Sequence, residues 1–475
     1  MDTSILSVGV DIGTSTTSMV VSRLRVQNTA CCFSVPRVAI TGKEVLYRSE
    51  IYETPLSGQN RIDAEAIADI LGEEYRRAGI APADVQTGAV IITGESSRKE
   101  NAALAAQSLS AFAGEFVVAT AGPDLESIIA AKGAGAEQYA REHGCTVANL
   151  DVGGGTTNIA VFDCGELVAK GCWDIGGRLV RVQDGRITYI SPRCAAVAQS
   201  LGVQLQVGDT ASPEALRRIA GRMAELLGEA LGILPTTPLC EQLRTPGSSI
   251  LKLGRPVARI SFSGGVADYI YSPSRDWFRH GDIGPLLGDS IRQSRLCDNI
   301  AIIPSQETIR ATVIGAGSYT TTVSGSTIFF TREGLFPFKN LPVFAPDADA
   351  EIESLSGNGE RLRAQAAWFL QESGGENILF CFRRLCAPGY RELCNLADAL
   401  VHAAEAQPPG RPLLVLVEDD FAKSLGQALA RRLNGARPVV CVDSICAQQG
   451  DYVDLGRPLM NGMAVTVVVK TLIFG

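Results

Sequence analysis

Apolar runs that stop abruptly at glycine set the rhythm of this chain. The run ending Leu150-Asp151-Val152 breaks at Gly153, Gly154 and Gly155, passes through Thr156 and Thr157, and resumes as Asn158-Ile159-Ala160-Val161. A buried strand, a tight turn and a second strand are expected there. Near the start of the chain the same order returns. Val8-Gly9-Val10 leads into Asp11, Ile12 and Gly13, then the hydroxyl cluster Thr14, Ser15, Thr16, Thr17 and Ser18, then Met19-Val20. The distance between the two aspartates far exceeds solenoid periods of about 20–50 residues. It fits two similar domains that face each other across one phosphate group.

The remaining pattern alternates strands and helices. Residues 4–24 read as a hairpin and 37–52 as a further strand. Asp63 is a helix N-cap, and Ile67, Ile70, Leu71, Tyr75 and Ala78 form one face that ends at Gly79. Short apolar strands are expected at 89–93 and 116–120. The second leads through Gly122-Pro123-Asp124 into a helix carrying Ala130, Ala131, Gly133, Ala134, Gly135 and Ala136, small enough for close helix approach. Residues 167–173 continue a meander. Ser212 and Pro213 open a helix whose buried face is Leu216, Ile219, Met223, Leu226 and Leu227. A strand at 258–262 runs into Ser263-Gly264-Gly265, and residues 308–318 are helix-like, closing in Gly315-Ala316-Gly317. Residues 345–360, rich in Asp, Glu, Ser, Pro and Gly, are expected to be a linker. Strands at 378–382, 413–417, 438–441 and 465–469, with helices at 391–405 and 421–433, make a further α/β unit.

The two glycine turns carry candidate chemistry. Glycine lets backbone turn tightly and approach a bound group. Successive bare N–H groups there form a concavity that holds anions. Asp11 and Asp151 stand just before their turns, where a carboxylate can hold a hydrated Mg²⁺ or orient a water. A glycine-rich hairpin that binds nothing fits either stretch taken alone. Ser263-Gly264-Gly265 before a helix can sit against a phosphate or sugar. Glu418, Asp419 and Asp420 at a strand end read as a cap and solvated loop end before they read as a metal site.

The chain has 475 residues, enough for about two to four domains. Its net charge of -8 argues against a general nucleic-acid or membrane-surface role. Its 13 cysteines are scattered without a Cys-x-x-Cys pair, and there are 3 histidines, so a zinc site is not expected. Thiols in that number suit a reducing cytoplasm. The opening residues carry no basic, cleavage-type segment, and no apolar run reaches bilayer length.

In order, the Asp11 turn, the Gly122-Pro123-Asp124 helix entry, the Asp151 turn, Ser263-Gly264-Gly265 and the helix closing in Gly315-Ala316-Gly317 resemble the actin, sugar-kinase and heat-shock-chaperone ATPase superfamily. The resemblance implies an α/β fold with two ribonuclease-H-like domains clamping ATP and Mg²⁺. It implies that Gly13, Thr14, Ser15 and Thr16 form the first phosphate loop and Gly153, Gly154, Gly155, Thr156 and Thr157 the second. It makes Gly264 and Gly265 the adenosine loop, and Asp11 and Asp151 the Mg²⁺ positions. Residues 121–136 and 308–317 become helices crossing at a hinge. The heat-shock chaperones carry Glu before the proline of the first hinge helix, whereas this chain has Gly122. The water-orienting residue is therefore sought in Glu95 and Asp124, and slow hydrolysis is expected.

Longer segments resemble a narrower family. Residues 92–102, 281–288, 310–317, 324–328 and 467–472 resemble the reactivating factors of adenosylcobalamin-dependent eliminases, and along the full length those of ethanolamine ammonia-lyase, the EutA family. The resemblance implies an ATP-driven chaperone that releases damaged cobalamin from the inactivated lyase so that intact adenosylcobalamin can enter. The implied partner is the lyase with its bound cobalamin, with no nucleic acid and no membrane, and with self-association left open. The expected location is the cytoplasm, in association with the ethanolamine-utilising microcompartment. The expected division is 1–145 and 146–344 around the nucleotide, the linker 345–360, and a unit at 361–475 for lyase contact. A small-molecule kinase and an ATP-gated filament or scaffold protein of the same fold are the competing readings.

Overall fold

The computed structural model describes residues 3–13, 16–28, 38–57, 61–92, 101, 105, 109, 117–120, 123–298, 300–319, 322–324, 327–373, 377–383, 385, 388–459 and 461–471. β1 (Thr3–Ile12) and β2 (Thr16–Asn28) form the first hairpin, and β3 (Val38–Arg48) joins it antiparallel. Helix α1 (Ala64–Ala78) follows, its first turn capped by the Asp63 carboxylate accepting from the Ala66 N–H at 3.1 Å. β4 (Thr87–Ile92) and β5 (Val117–Thr120) then add in parallel beyond β1, giving the order β3-β2-β1-β4-β5. Every residue of β4 is buried, as a strand covered on both faces requires.

The same arrangement is then built a second time. After α2 (Pro123–Gly133) and α3 (Ala136–His143) come β6 (Thr146–Val152), β7 (Thr157–Asp163) and β8 (Glu166–Trp173), again an antiparallel meander. β9 (Arg259–Ser263) and β10 (Ala301–Ile302) add in parallel, giving β8-β7-β6-β9-β10. Two sheets with one strand order are the paired ribonuclease-H-like architecture that the resemblance implied. The second sheet is covered by α4 (Pro213–Ala230) and α5 (Gly284–Arg292), and Leu216, Ile219, Met223, Leu286 and Leu287 share one core with Leu150, Ile159 and Phe262.

Helix α6 (Ala311–Tyr319) closes the exchange between the two halves. α2 leaves the first sheet and packs on β6, β7 and β8, while α6 leaves the second and packs on β1, β2 and β4. The two helices cross backbone to backbone. A Cβ on Gly133 would lie 1.8 Å from the Ala311 carbonyl oxygen, and one on Gly315 would lie 1.9 Å from that of Ile129.

A third sheet starts earlier than expected. β11 (Thr322–Val323), β12 (Phe329–Phe330) and β13 (Phe338–Phe344) already belong to it. Residues 345–360 do not form an extended linker. They carry α7 (Ala348–Leu355), capped by Asp347 and packed through Ala350 and Ser354, and the start of α8 (Glu360–Ser373). The polar residues that suggested a linker include the helix cap Asp347 and the buried Glu351 and Ser354. β14 (Leu379–Phe382), α9 (Tyr390–Ala403), β15 (Leu413–Val417), α10 (Ala422–Leu433) and β16 (Val439–Asp443) continue as βαβ units, parallel to β13. β17 (Asp451–Leu459) and β18 (Ala464–Thr471) finish the order β11-β18-β17-β13-β14-β15-β16-β12. This sheet rests on the first one through Ala464, which packs with Ile5, Leu24 and Val26. Among the described residues no helix is long and apolar enough to cross a membrane.

Candidate functional site

Both glycine turns close with the same hydrogen bond. Gly13 N–H donates to the Thr16 carbonyl at 2.8 Å, and Gly153 N–H donates to the Thr156 carbonyl at 2.9 Å. Asp11 faces Ser18 across the first hairpin, and Asp151 faces Asn158 across the second. On the parallel side, Asp11 is in register with Ile91, and Asp151 with Ser263. Each aspartate thus lies at the carboxyl end of a central strand, where open α/β sheets bind ligands. At the first turn, the Thr54 hydroxyl donates to the Gly13 carbonyl at 2.8 Å and Thr16 opens β2. Thr14 and Ser15 lie outside the described residues.

The second turn is anchored from behind. The Gly153 carbonyl accepts from Gly177 N–H at 3.0 Å, and the Gly154 carbonyl from Arg178 N–H at 2.6 Å. The N–H groups of Gly154, Gly155 and Thr156 have no protein acceptor among the described residues, and a Cβ on Gly155 would meet nothing within 4 Å. Carbonyls tied back and bare N–H groups left forward make the concavity that anions occupy. Thr157 plays a different part from the one expected. Its hydroxyl is fully buried and donates to the Ile175 carbonyl at 2.7 Å, fixing the same loop from inside.

Asp151 ends a polar ladder laid across β6 and β9. Ser261 donates to Asn149 at 2.8 Å, Asn149 to the Ser263 hydroxyl at 2.9 Å, and Ser263 to the Asp151 carboxylate at 2.6 Å. Burial pushes the Asp151 carboxyl up to about 6, while the hydrogen bonds from Ser263 and Asn158 pull it down. A nearby cation would favour the charged form of such a carboxylate. Asn158 keeps a buried side-chain oxygen without a partner beside it. Gly264 follows Ser263 with a φ of +86°, and a Cβ there would lie 2.4 Å from the Val152 carbonyl oxygen, so only glycine fits. Gly265 opens into free space. Asp151, Gly153, Gly154, Gly155, Gly264 and Gly265 therefore share one edge of the second sheet.

Asp124 is held elsewhere. Its carboxylate accepts from the Ser249 N–H at 3.1 Å and the Ser249 hydroxyl at 2.5 Å, and lies 3.6 Å from the Lys170 ammonium. These partners pin the start of α2 to the second sheet. Glu95 lies outside the described residues. Among the described residues no three His, Cys, Asp or Glu side chains gather as a metal cage. Mg²⁺ asks for less, one or two carboxylates with waters and phosphates completing its shell, and Asp11 and Asp151 fit that donor set.

The sequence reading missed Arg178. Its only trace there is a cation directly after the pair Gly176-Gly177. Its Nε donates to Asp282 at 3.4 Å, and Asp282 also accepts from the Gly284 N–H at 2.8 Å. The segment 281–288 is thus the backing of the second glycine turn.

Comparison with known proteins gives these edges a family. The model for "Ethanolamine utilisation protein EutA" matches residues 3–475. The chain belongs to the EutA family. It is 36% identical to the ethanolamine ammonia-lyase reactivase EutA of Salmonella typhimurium strain LT2, over 99% of this chain and 98% of that one. It is 37% identical to the reactivase EutA of Escherichia coli strain K12, with the same coverage of 99% and 98%. Among solved structures, the ethanolamine utilization protein EutJ of Carboxydothermus hydrogenoformans aligns with 66% of this chain and 89% of its own at 17% identity. Its TM-score of 0.33 is too low to carry an argument. The segments that marked the EutA family fall at joints of the fold. Residues 281–288 back the second turn, and 310–317 form the hinge crossing. Ser324 pairs with Val465 at the edge of the third sheet. Most of 92–102 lies outside the described residues.

Proposed function

We propose that this chain is an ATP-dependent reactivase of ethanolamine ammonia-lyase. On this reading it binds Mg-ATP between residues 1–145 and 146–320 and uses it to release damaged cobalamin so that intact adenosylcobalamin can enter. The carrying observation is the pair of equivalent Asp-x-Gly turns at the carboxyl edges of two sheets with one strand order, in a chain of the EutA family. The bare N–H groups of Gly154, Gly155 and Thr156 would take phosphate oxygens, Asp11 and Asp151 would hold hydrated Mg²⁺, and Gly264 and Gly265 would border the adenosine. Bound there, Mg²⁺ would neutralise phosphate charge.

On this reading the two crossed helices would turn binding into motion. α2 rides on the second sheet and α6 on the first, so any change in the gap between the turns must pivot at the Gly133–Gly315 crossing. A nucleotide that prefers one gap shifts the population of the two arrangements. The third sheet rests on the first and so moves with it, which makes it the surface we assign to lyase contact. The site of action is the cytoplasm, beside the ethanolamine-utilising microcompartment. The test is to mix the protein with hydroxocobalamin-inactivated lyase, free adenosylcobalamin, ATP and Mg²⁺. Lyase turnover should return with ATP and stay lost without it; no recovery in either arm sinks the proposal.

A further inference from the structure

Arg178 is a charged side chain built into the second glycine turn from three directions. Its backbone N–H donates to the Gly154 carbonyl at 2.6 Å. Its stem lies along the turn, because a Cβ on Gly154 would meet Arg178 Cδ at 3.1 Å and Cγ at 3.3 Å. Its Nε is held by Asp282 at 3.4 Å. Asp282 is itself fixed, with a side chain 9% exposed and its other oxygen accepting the Gly284 N–H at 2.8 Å. Gly177 and Gly284 touch beneath the pair, since a Cβ on Gly177 would lie 2.7 Å from the Gly284 Cα.

A guanidinium offers its donors in a rigid fork. Asp282 takes the Nε donor, and both Nη groups remain without a partner among the described residues. The side chain is 37% exposed. It stands beside three unpaired backbone N–H groups that already favour an anion. A cation held by one nitrogen against an anion-binding turn, with its fork still open, is preorganised for phosphate oxygens.

We propose that Arg178 binds the polyphosphate of the nucleotide at the second glycine turn, with Asp282 as its positioning residue. This rests on the nucleotide-site reading above and adds a named contact to it. The bland alternative is an ion pair that only locks residues 176–178 to 281–284. The two differ in what they do to ligands with and without phosphates.

The experiment is calorimetric titration of wild type, Arg178→Gln, Arg178→Lys and Asp282→Asn with ATP, ADP and adenosine, each with Mg²⁺. In Arg178→Gln, affinity for ATP should fall by roughly tenfold or more, the weight of one charge-assisted hydrogen bond. Adenosine affinity should stay within about twofold, because its contacts lie with Gly264 and Gly265. Arg178→Lys should recover part of the loss, since it keeps the charge without the fork. Asp282→Asn should weaken ATP by a smaller factor, roughly threefold, as the arginine loses its orientation. An Arg178→Gln protein that binds ATP like wild type overturns the proposal, as does an equal loss for ATP and adenosine. If Arg178→Gln does not fold, equal losses for both ligands in Arg178→Lys and Asp282→Asn overturn it equally. Wild-type protein that binds neither ATP nor ADP overturns the nucleotide site itself.

Discussion

At the first sheet edge Asp11 sits between Ser18 and Ile91, half-buried at the end of a strand whose parallel neighbour is apolar. At the second edge Asp151 sits between Asn158 and Ser263, 6% exposed and at the end of a ladder of Ser261, Asn149 and Ser263. The turns that follow close with the same hydrogen bond, yet the carboxylates differ in burial. One edge fixes its charge in a dry, hydrogen-bonded seat at an energetic cost. At the other edge the Asp11 carboxylate is only half-buried.

The comparison can be broken most severely at the joint between the edges. Gly315→Ala forces a methyl against the Ile129 carbonyl and should destabilise the protein by about 3 kcal/mol or more, seen by denaturant unfolding. A near-neutral result means that the helices separate easily and that the crossing is no pivot. The next effect is smaller and has an unusual sign. The Asp151 carboxyl is raised from 3.8 to about 6 on folding, so the folded state holds its proton more tightly. That group's contribution is favourable at low pH and is lost as pH rises from about 4 through about 6. Asp151→Asn should therefore be more stable than wild type at pH 7 without nucleotide, by about 2–3 kcal/mol. The gain should shrink steadily toward pH 4, and a gain independent of pH would remove burial of charge as its cause. Asp11→Asn, at a half-buried carboxylate, should change stability less than Asp151→Asn does at pH 7. A large change there would erase the contrast between the edges.

Much of the fold was legible because glycine and small residues leave few readings. The two Asp-x-Gly turns, the helix faces and the close helix crossing follow from residues whose size alone forces the geometry. Other parts were hidden by residues with two meanings. β13 contains Asn340 at a φ of +51° and Pro342, and β17 contains Gly456 and Pro458 at a register shift, so both look like loop in the sequence. α7 reads as linker because Asp347 and its acidic, polar face are also what linkers are made of. Of the two glycine turns, the tight reversal after each aspartate was legible. The inward turn of the Thr157 hydroxyl to the Ile175 carbonyl was not legible, because a hydroxyl after a glycine turn points inward as readily as outward. Arg178 was invisible, since its partner Asp282 is brought to it only by the tertiary fold.

If the two turns form one Mg-ATP site that drives reactivation, removing the charge of either aspartate must stop it. The direct measurement is lyase recovery against ATP concentration for wild type, Asp11→Asn and Asp151→Asn, with circular dichroism to confirm folding. Asparagine keeps either turn but removes the charge, so both variants should be folded and slower by about a hundredfold or more. Two folded variants that reactivate the lyase at near wild-type rate would contradict the account.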